Sequence, residues 1–136
     1  MRITKHFRLK EFATKDGTPV PRRLIPTVRE VAKNLQVLRD EIGKPIKITS
    51  AYRHLKYNRK IGSKDTSQHV KGRAVDIQVK GMSPRKVYEV ILRLIREGRM
   101  KQGGVGLYDG FTHYDTRNFA ARWCAGKARG WKKKKR

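Results

Sequence analysis

The chain is expected to form one small α+β domain in which a short, largely antiparallel sheet is flanked by helices and carries a metal site at its edge. Three observations predict this class. Two stretches place apolar residues at helical spacing, several short segments alternate apolar and polar residues, and an Asp-Gly pair sits between two of those segments as a hairpin turn.

The first periodic stretch runs from Thr27 to Ile42, with Val28, Val31, Ala32, Leu35, Leu38 and Ile42 on one stripe. Thr27 and Glu30 fit a capping box, Pro26 precedes them, and Gly43 with Pro45 closes the helix. From Pro45 to Ser50, Ile46 and Ile48 alternate with Lys47 and Thr49, as a half-buried strand requires, and Arg53 lies just past its end. Tyr57 to Gln68 is polar and irregular, with Gly62, Ser63 and Asp65 as turn formers, and reads as a long loop leading to His69. Ala74 to Val79 returns to strand character. Alternation turns Val75, Ile77 and Val79 to one side and Ala74, Asp76 and Gln78 to the other.

Ser83-Pro84 opens a second helix, striped by Val87, Val90, Ile91, Leu94 and Ile95 and ended at Gly98. Val105–Tyr108 and Phe111–Asp115 then read as two strands joined at Asp109-Gly110, with Phe111, His113 and Asp115 sharing a face. Residues 1–125 form the expected domain, and 126–136 a basic tail.

A chain of 136 residues is long enough to bury one core without disulfide staples. Its single cysteine, Cys124, excludes an intrachain disulfide and a Cys-rich structural metal site. No run is apolar enough to span a bilayer, and the start lacks an apolar signal core, so the protein is expected to be made in a cytoplasm and delivered elsewhere by another agent. Thirty-five Lys and Arg against 11 Asp and Glu leave a net charge of +24, which predicts attraction to a polyanion: nucleic acid, acidic lipid or an anionic wall polymer. The uninterrupted run Lys132–Arg136 after Trp131 reads as a solvated terminus or as a binding arm.

The chemistry-bearing residues are His69, Asp76 and His113. Two imidazoles and a carboxylate suit zinc with one coordination position left open, the arrangement that a hydrolytic metal site needs. If the strands bearing Asp76 and His113 are neighbours, these two converge, and His69 closes from the loop. A His-x6-Asp spacing alone also fits an exposed loop histidine and a strand-end acceptor. Hydrolysis further needs a proton carrier and an oxyanion donor. Asp115, on the face of His113, is the candidate for the first. Arg53 is the candidate for the second, or for gripping a substrate carboxylate. His54 and His6 read as surface residues, Trp123 as a core or lid residue, and Cys124 as a small apolar side chain.

Four separated motifs occur in order: Ser50-Ala-Tyr-Arg53, Tyr57-Asn58, Ser67-x-His69-x-x-Gly72-x-Ala74-x-Asp76, and Gly103-Gly-Val-Gly-Leu-Tyr108 followed by His113-x-Asp115. Together with Phe7-x-x-x-Glu11-Phe12 they resemble the zinc D-Ala-D-Ala carboxypeptidase family, which also holds murein endopeptidases and phage endolysins. The resemblance covers roughly Phe7 to Trp123. It implies zinc on His69, Asp76 and His113, with Arg53 and Ser67 at the substrate. Many relatives carry their catalytic acid two or three residues before the second zinc histidine, where this chain has Phe111 and Gly110. Asp115 matches the His-x-Asp form of the similar murein endopeptidases, and Asp109 is the alternative.

These readings predict a monomeric zinc peptidase acting on the peptide part of bacterial peptidoglycan, of the phage lysis or virion-borne type, held on anionic wall polymers by its charge. A basic nucleic-acid-binding protein with an incidental metal site is the alternative, although no helix-turn-helix, zinc-finger or aromatic RNA-binding signature is present.

Overall fold

The computed structural model describes residues 1–126; Trp131 and the basic run 132–136 lie outside the described residues. Helix α1 spans Ile25–Ile42 and buries Val28, Val31, Ala32, Leu35 and Leu38. It starts two residues before the expected position, out of a 3-10 turn at Arg22–Leu24, and no side chain caps it. The capping box at Thr27 is therefore not the helix start. Pro26 occupies the first turn, where a missing N–H costs nothing, so the helix runs back through it. Gly43 ends α1 in the left-handed region at φ 65°, returning its N–H to the Arg39 carbonyl.

Strand β1 (Ile46–Ser50) follows, then helix α2 (Leu55–Lys60), which stands where the sequence reads as loop. Six residues are too few to show a helical stripe, and the capping group is unusual. His54 Nδ1 accepts from the Tyr57 N–H at 3.2 Å, and the other side of its ring contacts Asp16 at 2.6 Å. Strand β2 (Ala74–Val79) and helix α3 (Pro84–Arg96) form as expected, with Ser83 Oγ accepting from the Lys86 N–H. The hairpin consists of β3 (Gly104–Leu107) and β4 (Thr112–Asp115), and a further strand, β5 (Ala121–Cys124), follows it.

The five strands lie in the order β1-β2-β4-β3-β5, antiparallel except for β3 beside β5. Val75, Ile77 and Val79 of β2, Val105 and Leu107 of β3, and Tyr114 of β4 join the stripes of α1 and α3 in one core. The alternate residues of the same strands, Asp76, Gly104, Gly106, His113 and Asp115, face the other way. The site thus sits on the inner strands β2 and β4, not on an edge strand, because β5 extends the sheet past the hairpin and β1 extends it past β2.

The N-terminal segment braces the end of β1. Phe7 and Phe12 are buried edge to face, the Tyr52 N–H donates to the Phe12 carbonyl, and Thr14 Oγ1 donates to the Tyr52 carbonyl. Residues 51–53 are held there as a fixed ledge beside the sheet. Among the described residues no helix is long and apolar enough to cross a membrane.

Leu35 is fully buried at the centre of the α1 stripe. Leu35→Ala is expected to lower unfolding stability by about 2–5 kcal/mol, read as a reduced denaturant midpoint with an unchanged slope.

Candidate metal centre

Antiparallel pairing of β2 with β4 sets Asp76 directly opposite His113. Both side chains point to the face away from the helices, and His69 reaches the same point from the loop before β2. One ligand atom from each of the three lies within 4.8 Å of the others, and their residues are only 4–6 % exposed. Asp76 Oδ1 is 3.3 Å from His69 Nε2 and 3.0 Å from His113 Nδ1. The convergence expected from strand adjacency is therefore present.

Each imidazole is oriented from behind. His69 Nδ1 lies 2.7 Å from the Ala51 carbonyl, an acceptor only, so this nitrogen carries the proton and donates it. The same ledge donates the Arg53 N–H to the His69 carbonyl, and Ser67 Oγ accepts the His69 N–H. Gly72, at φ +73°, turns the loop back into β2 through a conformation that favours glycine. On the other side, His113 Nε2 lies 2.7 Å from Asp115 Oδ2. Donation to Ala51 and Asp115 leaves His69 Nε2 and His113 Nδ1 as the nitrogens presented to Asp76. This is the outer arrangement that fixes metal-binding histidines.

The electrostatics fit a cation. Burial pushes the His69 imidazole below its usual pKa, and this outweighs the pull of Asp76, so His69 is neutral at neutral pH. Its bare Nε2 then faces a carboxylate oxygen with no proton between them, which is unfavourable until a positive charge enters. His113 goes the other way. Burial alone would lower it, but the hydrogen bonds that its ring donates to Asp115 and Asp76 outweigh that and raise it. Burial likewise opposes ionisation of Asp76, yet the hydrogen bond it accepts from His113 outweighs that and holds its carboxyl well below the usual range. One neutral imidazole, one imidazolium whose proton a metal can replace, and one firmly ionised carboxylate make a donor set that suits zinc.

Behind His113 stands a tightly packed layer. Asp115 is fully buried, taking bonds from the Gly104 N–H, from the Arg117 N–H and, in bidentate fashion, from the Arg117 guanidinium at 2.9 and 2.7 Å. Burial would raise its pKa, but the bonds from His113 and Arg117 dominate and keep it ionised. Arg117 lies over the rings of Trp123 and Phe119. The glycines of β3 make room for this layer. A Cβ on Gly104 would come within 2.3 Å of Asp115 Oδ2, and one on Gly106 within 2.4 Å of the Trp123 ring.

A cleft of about 580 Å³ opens over the cluster, between the loop after α2 and the hairpin; Arg53, Ser67, Gln68, Tyr108, Arg117 and Trp123 are among its walls. An apolar groove near Pro45, Met82 and Pro84 holds none of these groups, so chemistry belongs to the first. Arg53 stands where the sequence reading puts it. Its guanidinium donates to Ser50 Oγ and Asn58 Oδ1 and lies 3.5 Å from Asp76 Oδ2. Ser67 lines the cleft while accepting the His69 N–H.

Asp115 shares the face of His113, as alternation predicts, but it stands behind the imidazole and does not line the cleft. With its oxygens saturated by buried donors, it is placed to orient His113 and not to take a proton from water at the open side. Asp109 is exposed in the turn and does not line the cleft either. Among the described residues, Asp76 is the one carboxylate on the cleft wall. His6 is exposed and bonds to Gln36. The backing roles of Arg117 and Trp123 escape a sequence reading because they depend on β5, a four-residue strand with no turn signal ahead of it.

Residues 5–115 match the family model described as Peptidase M15. The match covers most of the chain, so the protein belongs to the peptidase M15 family and is a metallopeptidase. Members of this family depend on a metal, typically zinc, and the matched span contains His69, Asp76 and His113. No curated protein matches the chain.

Two outcomes follow from the geometry. Asp115→Asn replaces a fixed acceptor with a group that also donates, and should weaken zinc affinity about 10- to 100-fold in a chelator competition. With Asp115 and Asp76 both accepting from its ring, and its pKa raised by them, His113 holds on Nδ1 a proton that a metal must displace. Calorimetric zinc titration in buffers of different ionisation enthalpy should therefore show release of about one proton per ion, with affinity falling as pH is lowered.

Proposed function

We propose that this chain is a zinc peptidase that hydrolyses an amide bond in the peptide part of bacterial peptidoglycan, with the metal held by His69, Asp76 and His113. The observation that carries the reading is the convergence of His69 Nε2, Asp76 Oδ1 and His113 Nδ1 at the floor of an open cleft, in a chain of the peptidase M15 family. Bound there, zinc supplies Lewis acidity: it lowers the pKa of a water and polarises a carbonyl.

The residues around the cluster divide the remaining work. Asp115, held by Arg117, keeps His113 in one tautomer, and the Ala51 carbonyl does the same for His69. Arg53 presents a half-buried guanidinium beside Asp76, tethered to Ser50 and Asn58, and serves to grip a substrate carboxylate at a fixed distance from the metal. Ser67 shapes the loop that carries His69 and contributes a hydroxyl at the cleft. Gln68 Oε1 is buried on the same wall without a hydrogen-bond partner, and a substrate N–H is the natural donor for it.

A net charge of +24 supports a second element of the proposal, that the protein is held on anionic wall polymers and serves as a phage-type lysis or virion-borne enzyme.

The test is digestion of purified peptidoglycan by zinc-loaded protein, with the released muropeptides read by mass spectrometry. A new amine and carboxylate at one peptide bond, lost in His69→Ala, is expected. Intact peptidoglycan after prolonged incubation with fully loaded protein refutes the reading. In the same preparations, retention on intact walls should fall as salt rises, since long-range attraction between exposed charges is screened.

A further inference from the structure

Tyr108 follows β3 directly, and its ring is fixed on two sides. Across the turn it stacks on Phe111, with centroids 4.4 Å apart and planes 14° from parallel, while its backbone N–H donates to the Phe111 carbonyl. From β5, Trp123 Nε1 donates to the phenol oxygen at 2.9 Å. An indole N–H can only donate, so the phenol oxygen is the acceptor in this bond. Its own proton remains, and it meets no acceptor among the described residues. The Trp123 ring that aims the phenol lies 5.0 Å from the His113 ring, and both Tyr108 and Trp123 line the cleft over the metal cluster.

We propose that Tyr108 is a catalytic residue whose O–H donates a hydrogen bond to the scissile carbonyl oxygen as negative charge builds on it. The inference rests on the peptidase reading and deepens it. A donor serves this purpose when it is oriented before the reaction and stands where charge develops. Stacking and the indole bond orient the ring and the oxygen of Tyr108, its proton is left for a partner in the cleft, and the residue lines the same cleft as the metal cluster. A neutral phenol also discriminates in the useful direction: its bond to an uncharged amide oxygen is weak and strengthens as that oxygen becomes anionic, so the gain falls on the transition state. Arg53, the other donor near the cluster, is tied to Ser50, Asn58 and Asp76 and carries a permanent charge better matched to a carboxylate. The two donors thus divide the substrate, Arg53 taking a charged terminus and Tyr108 the reacting oxygen.

Tyr108→Phe keeps the stack and removes the hydroxyl, and is compared with wild type for zinc content, melting temperature, hydrolysis of a soluble muropeptide, and binding of a phosphinate pseudodipeptide that mimics the tetrahedral oxygen. The expected result is a fall in kcat of about 100-fold. KM should stay within about threefold and zinc content should not change, the pattern of an interaction made only in the transition state. Phosphinate binding should weaken by about tenfold or more, and binding of the cleavage product by less. An unchanged kcat in an active wild-type background overturns the role of Tyr108 and leaves the peptidase reading standing. Loss confined to KM, or equal weakening of phosphinate and product, also overturns it. A zinc-loaded wild type that cleaves nothing overturns the peptidase reading and this role with it.

Discussion

The pairing of Asp76 with His113 across β2 and β4 is the constraint on which the site depends. Strand alternation has a period of two, so a slip of one residue in this register would send one of the pair to the face of α1 and α3. The register is secured from the opposite face. Val75 and Ile77 of β2 are fully buried, as is Tyr114 of β4, whose hydroxyl donates to the Lys101 carbonyl. The hydrophobic core thus does more than stabilise the fold; it fixes which two side chains meet beneath the cleft.

His69 could not be placed by the sheet, since it comes from an irregular loop, and a loop residue needs separate support to hold a ring within a few tenths of an ångström. That support is the ledge at residues 51–53, which binds His69 at both its ring and its carbonyl and is itself braced by Phe12 and Thr14 from the N-terminal segment. Elements far apart in the chain therefore converge on one small volume. The span matched by the family model includes the ledge, the loop and the β2–β4 pair, but stops before Arg117 and Trp123. Those two complete the layer behind His113 and, through Trp123, reach the cleft wall at Tyr108.

Much of this was legible in the sequence wherever a periodic signal and a local chemical signal coincided. Helix α3 announced both its stripe and its Ser83-Pro84 start, and the strand character of 74–79 and 111–115 gave the facing of Asp76 and His113. Three features were not legible, each for a physical reason. Helix α2 is too short for a stripe and is capped by a histidine, a residue that carries no usual start signal. Helix α1 begins earlier than its capping box because tertiary packing carries the chain through a tolerated proline. Alternation correctly put Asp115 on the face of His113, but alternation cannot say which side of a neighbouring ring a carboxylate occupies. That depended on Gly104 and Gly106, whose missing side chains let Asp115 and Trp123 lie flat across β3.

The charge balance of the cluster explains how such a site assembles ahead of any metal. Two ionised carboxylates, Asp76 and Asp115, are buried together, and an isolated pair of this kind would be costly. Here His113 stands between them as an imidazolium, Arg117 grips Asp115 from one side and Arg53 approaches Asp76 from the other. Each negative oxygen has a positive or hydrogen-bonding partner without an added ion, and the backbone that carries them is fixed by the core and not by the cluster. His69 Nε2, Asp76 and His113 Nδ1 would hold a metal here in place of one proton on His113, and its charge would relieve the bare contact between His69 Nε2 and Asp76, whose supporting groups are already in position. A structural zinc site, in which the ion supplies the folding free energy itself, would need no such carboxylate–guanidinium backing.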